Sequence, residues 1–179
     1  MSSGTHTGRR LADRVTGWLE AQKKAYAAQA DDDRPLAGYL AAIGVFSTVT
    51  LAAGRISART KTAPLTLTEV LLVGAATHKL ARVVAKDAIA SPIRAPFTRY
   101  TGPGGPGEVT EELRGTGLGH STGELLTCPF CLSPWIATGL VAGRSVAPGL
   151  TRHLTYVFTA SAVSDLLQFG RTALEQTTE

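Results

Sequence analysis

The sequence predicts an all-α, integral membrane helical bundle, with about four apolar helices preceded by an amphipathic N-terminal helix. Three observations point there. Charged residues make up 18% of the 179 residues, below the roughly 25% usual in soluble domains. Long uncharged runs alternate with short basic segments. Lys and Arg are shared unequally between those segments, as the positive-inside rule requires of a multi-pass chain. Other classes are excluded by composition. Hydrophobic residues at 44% rule out a wholly disordered chain, and two cysteines cannot staple a disulfide-rich secreted scaffold. The net charge of +4 is spread along the chain rather than clustered with aromatics on one element, so no nucleic-acid partner is expected.

Residues 1–34 read as a basic amphipathic helix and its linker. From about Arg9 to Ala30, Leu11, Val15, Trp18, Leu19 and Tyr26 share one stripe, with Arg14, Glu20, Lys23 and Lys24 mostly off it. Such a helix either lies in the membrane interface or packs on its own protein. No apolar stretch follows Arg9 and Arg10 closely enough for a signal peptide, and Pro35 after three aspartates ends the segment. Residues 35–171 read as the membrane domain, and 172–179 as a polar tail.

Within that domain, residues 35–54 form 20 uncharged positions between Arg34 and Arg55. That is about the length needed to cross a bilayer core as a helix, and Tyr39 suits the interfacial level. The second run, residues 62–77, carries Glu69 and continues as a helix through His78, Lys79, Arg82 and Lys86. It spans only with Glu69 near one interface and its basic residues snorkelling to the other. Residues 87–100, with Pro92 and Pro96, read as a short interfacial connector. Residues 101–123 hold eight glycines and read as a flexible loop. The third run, residues 125–143, is uncharged between Glu124 and Arg144, and the fourth, residues 154–170, is interrupted by Asp165. With four spans, 13 Lys and Arg fall on the side of both termini and the glycine-rich loop, against 5 on the other. The predicted location is therefore a cell membrane, crossed several times, with both termini cytoplasmic and the lipid bilayer as the first partner. A soluble bundle is the alternative.

Cys128-Pro129-Phe130-Cys131 is the sharpest local feature. Two thiols three positions apart at a helix start lie close together, and the helix N-terminus favours a thiolate. Zinc binding would need four ligands, with His120 the best-placed third; thiol–disulfide exchange in a four-helix membrane oxidoreductase usually draws on a second cysteine pair to relay electrons. Packing at a crowded helix entrance, with no cofactor, is the third reading. Asp165 is costly in lipid and must find a partner across the bundle, with Arg82 favoured over His78 or a water linked to Glu124. The sequence shows no Gly-x-Ser-x-Gly elbow, phosphate loop or His-Glu-x-x-His. A non-enzymatic scaffold or adaptor, with a protein partner or a second copy, is the expected function; thiol-redox or metal chemistry at the Cys pair is the alternative.

Thr77-His78-Lys79-Leu80-Ala81-Arg82, Lys86-Asp87, Pro92-Ile93-Arg94, and Gly123-Glu124-Leu125-Leu126-Thr127-Cys128-Pro129-Phe130-Cys131 with the following Trp135 carry a resemblance. The segment from about residue 65 to 170 resembles the small bacterial membrane proteins of domain-of-unknown-function family 1360, some of them sporulation-associated. That resemblance implies an integral membrane protein without an established activity, and it marks Arg82, Asp87, Arg94, Glu124, Cys128, Cys131 and Trp135 as site candidates. Physically these are expected to form one cluster at the cytoplasmic edge. Arg82 and Arg94 would pair with Asp87 and Glu124, and Trp135 would pack near Cys131.

Overall fold

The computed structural model describes residues 4–26 and 34–177. The helices are α1 (Gly4–Tyr26), α2 (Leu36–Thr60), α3 (Leu67–Lys86), the single turn α4 (Ser91–Arg94), α5 (Gly117–Thr127), α6 (Pro129–Val146) and α7 (Pro148–Thr177); strands β1 (Thr98–Pro103) and β2 (Val109–Leu113) lie between α4 and α5. The protein is mostly helical, as the sequence predicts, but it is not all-α.

The predicted N-terminal helix corresponds to α1, on which Val15, Trp18 and Tyr26 are exposed. Residues 27–33, and the side chains of Leu11, Leu19, Lys23 and Lys24, lie outside the described residues. α2 begins behind Pro35 and closes at Lys61, whose φ of 51° places it in the left-handed region. α3 opens with a reciprocal capping box: the Thr66 hydroxyl accepts the Glu69 N–H, and the Glu69 carboxylate accepts the Thr66 N–H. Glu69 is thereby the start signal of the helix.

Helices α2, α3, α6 and α7 alternate in direction. Tyr39, Phe46 and Ser57 of α2 meet Glu124, Trp135 and Ser145 in the same chain order, so α2 runs parallel to α6. Leu72 and Lys79 of α3 meet Thr159 and Asp165 of α7, also in order. Glu69 at the start of α3 meets Arg144 near the end of α6, so these two are antiparallel. The core is small: Val73, Ala76 and Leu140, packed by Leu80, Ile136 and Phe158.

Much apolar surface stays uncovered. On α2 alone Leu40, Ile43, Val45, Val49 and Leu51 are exposed. Its most apolar stretch has a mean hydropathy of 1.8 and is only 6% buried. Among the described residues α2 is the one helix long and apolar enough by itself to cross a membrane; α5 and α6 pass together as a pair bent by 80°.

The glycine-rich segment is a correction to the sequence reading. Instead of a flexible loop, β1 and β2 pair antiparallel, from Thr98 opposite Leu113 to Pro103 opposite Val109, with a bulge between Tyr100 and Gly102. Gly104, Gly105 and Gly107 build the turn, Gly107 at φ 78°, and the Gly104 N–H donates to the Glu108 carbonyl. The glycines mark the turn, and Thr, Tyr and Val flank it as strand formers. The preceding connector is equally regular. Asp87 ends α3 in an extended conformation, a 3₁₀ turn at Ala88–Ala90 follows, and α4 completes the corner.

Candidate functional site at the bend before Cys128

The third apolar run is broken rather than straight. Pro129 lacks an N–H, and its ring steers the preceding residue out of the helical region. Cys128 accordingly sits at φ −105°, ψ 106°. The Thr127 hydroxyl turns back to the Gly123 carbonyl and closes α5, while Cys128 caps α6 by accepting the Cys131 N–H on its Sγ at 3.2 Å. Pro129 stands at the first helical position, where its missing donor costs nothing. The 80° bend is therefore written into Cys-Pro. Both thiols are free, Cys128 half-buried and Cys131 exposed.

Beside the bend lies an open cleft of about 550 Å³ between α2, α5 and α6, floored by Ala42, Ile43 and Leu125 and edged by Tyr39, Glu124 and the two cysteines. Glu124 is its electrostatic centre. Its carboxylate accepts from Arg34 at 2.9 Å and from the Tyr39 hydroxyl, with His120 at 3.6 Å one turn earlier on α5. Arg34 and Tyr39 are the partners that sequence reading missed here. Tyr39 stands out in the sequence only as an interfacial aromatic, and nothing local links it to a residue 85 positions away.

The remaining predicted residues do not form one cluster. Arg94 pairs not with Asp87 or Glu124 but with Glu111 of β2. It is fully buried, and Nε donates to Glu111 at 2.8 Å, Nη1 to the Val84 carbonyl at 2.7 Å, and Nη2 to Glu111 Oε1 at 3.1 Å and the Asp87 carbonyl at 3.1 Å. Asp87 contributes its backbone. Burial pushes the Glu111 carboxyl up, but hydrogen bonds from Arg94, Thr98 and Ser91 and the Arg94 charge outweigh that and hold it below its ordinary value. Arg82 is taken by Glu108 of the hairpin turn. Asp165 accepts from Lys79 at 2.7 Å, not from Arg82. Trp135 packs edge-on against Phe46 of α2, with ring centroids 5.1 Å apart. His78 is exposed beside a groove between α3 and α6. For Arg82 and Arg94 the physical reason is shared: the folded hairpin fixes Glu108 and Glu111 where each guanidinium meets them.

No group of three or more His, Cys, Asp or Glu side chains among the described residues is placed to hold a metal ion. His120 reaches Glu124, and no such group joins it to the two thiols.

Fold and site together define a small, mostly helical protein with one strongly apolar helix, a buried Arg–Glu node in a hairpin cap, and a free thiol pair at a helix break. The chain belongs to the family described as Protein of unknown function (DUF1360), whose model matches residues 72–170. α1 and α2 lie outside that stretch, so Arg34 and Tyr39 reach Glu124 from beyond it. The chain is also 26% identical over 102 residues to "Sporulation protein YjcA" of Bacillus subtilis (strain 168), covering 55% of this chain and 86% of that relative. No solved structure matches it.

Proposed function

We propose that this protein is a non-enzymatic, multi-pass component of the bacterial cell membrane that acts as a scaffold or adaptor, with both termini and the hairpin cap on the cytoplasmic side. The observation that carries the reading is α2. A helix with a mean hydropathy of 1.8 that is only 6% buried needs apolar surroundings, because exposed apolar surface on this scale marks a membrane or partner-binding face. The ionisable residues argue against catalysis. Glu124, Arg94, Arg82 and Asp165 spend their charges joining one element to another. The basic α1, with Trp18 exposed, is suited to the interface or to recruiting a soluble protein. The relative's name extends the proposal to spore development in a cell that forms spores.

A second reading is favoured by one observation: two free thiols share a helix start at the mouth of a cleft. It makes the protein a thiol-redox or metal-binding membrane protein. Complementation of a deletion strain by a Cys128→Ser/Cys131→Ser protein separates the two. Full rescue at normal abundance supports the scaffold; loss of rescue at normal abundance transfers the function to the thiols.

A further inference from the structure

We infer that Cys128 and Cys131 form a two-coordinate site for a soft monovalent cation, copper(I). The inference rests on the thiol reading and gives it a ligand.

Four features of the bend carry it. Both sulfurs are unoxidised and belong to one turn of chain, Cys128 half-buried and Cys131 exposed at the cleft edge. The Cys131 N–H already donates to Cys128 Sγ at 3.2 Å, so the two residues hold one another in place at the start of the 18-residue α6. Pro129 and the extended Cys128 fix the loop between the sulfurs, so little chain entropy is lost when an ion bridges them. One side of the cleft is apolar, formed by Ala42, Ile43 and Leu125, with Tyr39 and Glu124 at its edge.

The donor set then selects the ion. Zinc in a structural site takes four Cys or His ligands, and no set of three such groups is assembled among the described residues. Calcium and magnesium want oxygen ligands. Soft thiolates favour copper(I), a filled-shell ion that is content with two sulfurs and is not driven to recruit a third. The balance is simple. Each thiol gives up a proton to solvent, both sulfurs bind Cu⁺, and the unit carries one net negative charge, which the start of α6 favours and the Glu124 carboxylate on the same cleft opposes. No electron is transferred; the ion arrives and leaves by exchange with other thiol ligands.

The test uses the full chain, purified in detergent, reduced and kept anaerobic. Cu⁺ is supplied from a buffered chromogenic chelator, and metal per chain is measured after desalting, with Zn²⁺ run in parallel. Cys128→Ser, Cys131→Ser and the double variant are compared. Serine at position 128 still accepts the capping N–H, so the fold is kept and is checked by Trp fluorescence. One Cu⁺ per wild-type chain, lost in either single variant, with no Zn²⁺ retained, supports the site. Equal copper in wild type and double variant overturns it. Zn²⁺ held in preference to Cu⁺ overturns it too, and shifts the ligand set to thiols of two copies. Thiols that cycle reversibly to a disulfide with diamide but bind no Cu⁺ overturn the ion while leaving the thiol reading standing. Thiols inert to both sink the two together.

Discussion

Arg94 decides more than any other side chain how the cap is held. Its guanidinium is fully buried and ties the end of α3, the α4 turn and β2 together through Val84, Asp87 and Glu111. Removing one partner of a buried pair strands the other, which costs about 3–5 kcal/mol. Arg94→Met is therefore expected to lower the thermal midpoint in detergent sharply, and adding Glu111→Leu to recover much of the loss. If the double variant is no better than the single one, the stranded carboxylate is not the cause. Glu111 also sets a pH dependence. Its folded value lies below the ordinary 4.5, so the native state binds fewer protons than the unfolded one. Its contribution is present above that ordinary value and disappears as pH falls through the lowered folded value. Glu111→Gln should flatten the fall in stability on the acid side of pH 4.5, readable as midpoint against pH. At the cleft, Glu124→Gln removes the charge that faces Arg34 and His120. Reduced abundance in membranes is expected if the cluster is structural, whereas unchanged abundance would speak for a role in binding instead.

Between elements, the contacts that matter are close approaches and one break. Gly38 of α2 lies so near α5 that a Cβ there would fall 2.0 Å from the Ser121 hydroxyl oxygen, while a Cβ at Gly44 of the same helix meets nothing within 4 Å. The same substitution should thus have opposite signs. Gly38→Ala overpacks the α2–α5 contact and costs about 1–3 kcal/mol. Gly44→Ala gains up to about 1 kcal/mol of helix propensity. Thermal midpoints of the two variants check this directly. The helices were legible because uncharged runs are a local signal, whereas the Thr66–Glu69 capping box and the Cys-Pro break, though equally local, went unread inside those runs. The hairpin was not, because its glycines report a turn and a flexible loop equally well. What distinguishes them is Leu113 and Glu111 packing against Gly123 and Arg94, a fact of tertiary contact.

For the whole molecule, the alternating order of α2, α3, α6 and α7 places the cysteine bend, the hairpin and Arg34 at one end. Ser57, Glu69 and Arg144 lie at the other. The proposed four-span topology, with thirteen Lys and Arg on one side against five on the other, would put the first end in the cytoplasm. A membrane-impermeant maleimide should then label Cys131 only after cells are lysed, without prior reduction. Labelling of intact cells would reverse the orientation, and a need for reductant would bring thiol-redox chemistry to the front. By itself the sequence determined the mostly helical content, the apolar α2 and the family, because each is written in short-range composition or spacing. Only the tertiary structure decided the pairings: Lys79 rather than Arg82 for Asp165, Glu108 for Arg82, Glu111 for Arg94, and Arg34 with Tyr39 for Glu124. Charge fixes that a buried ion needs a partner. Which partner it meets depends on helix phase, axial register and a hairpin that exists only once its neighbours are packed.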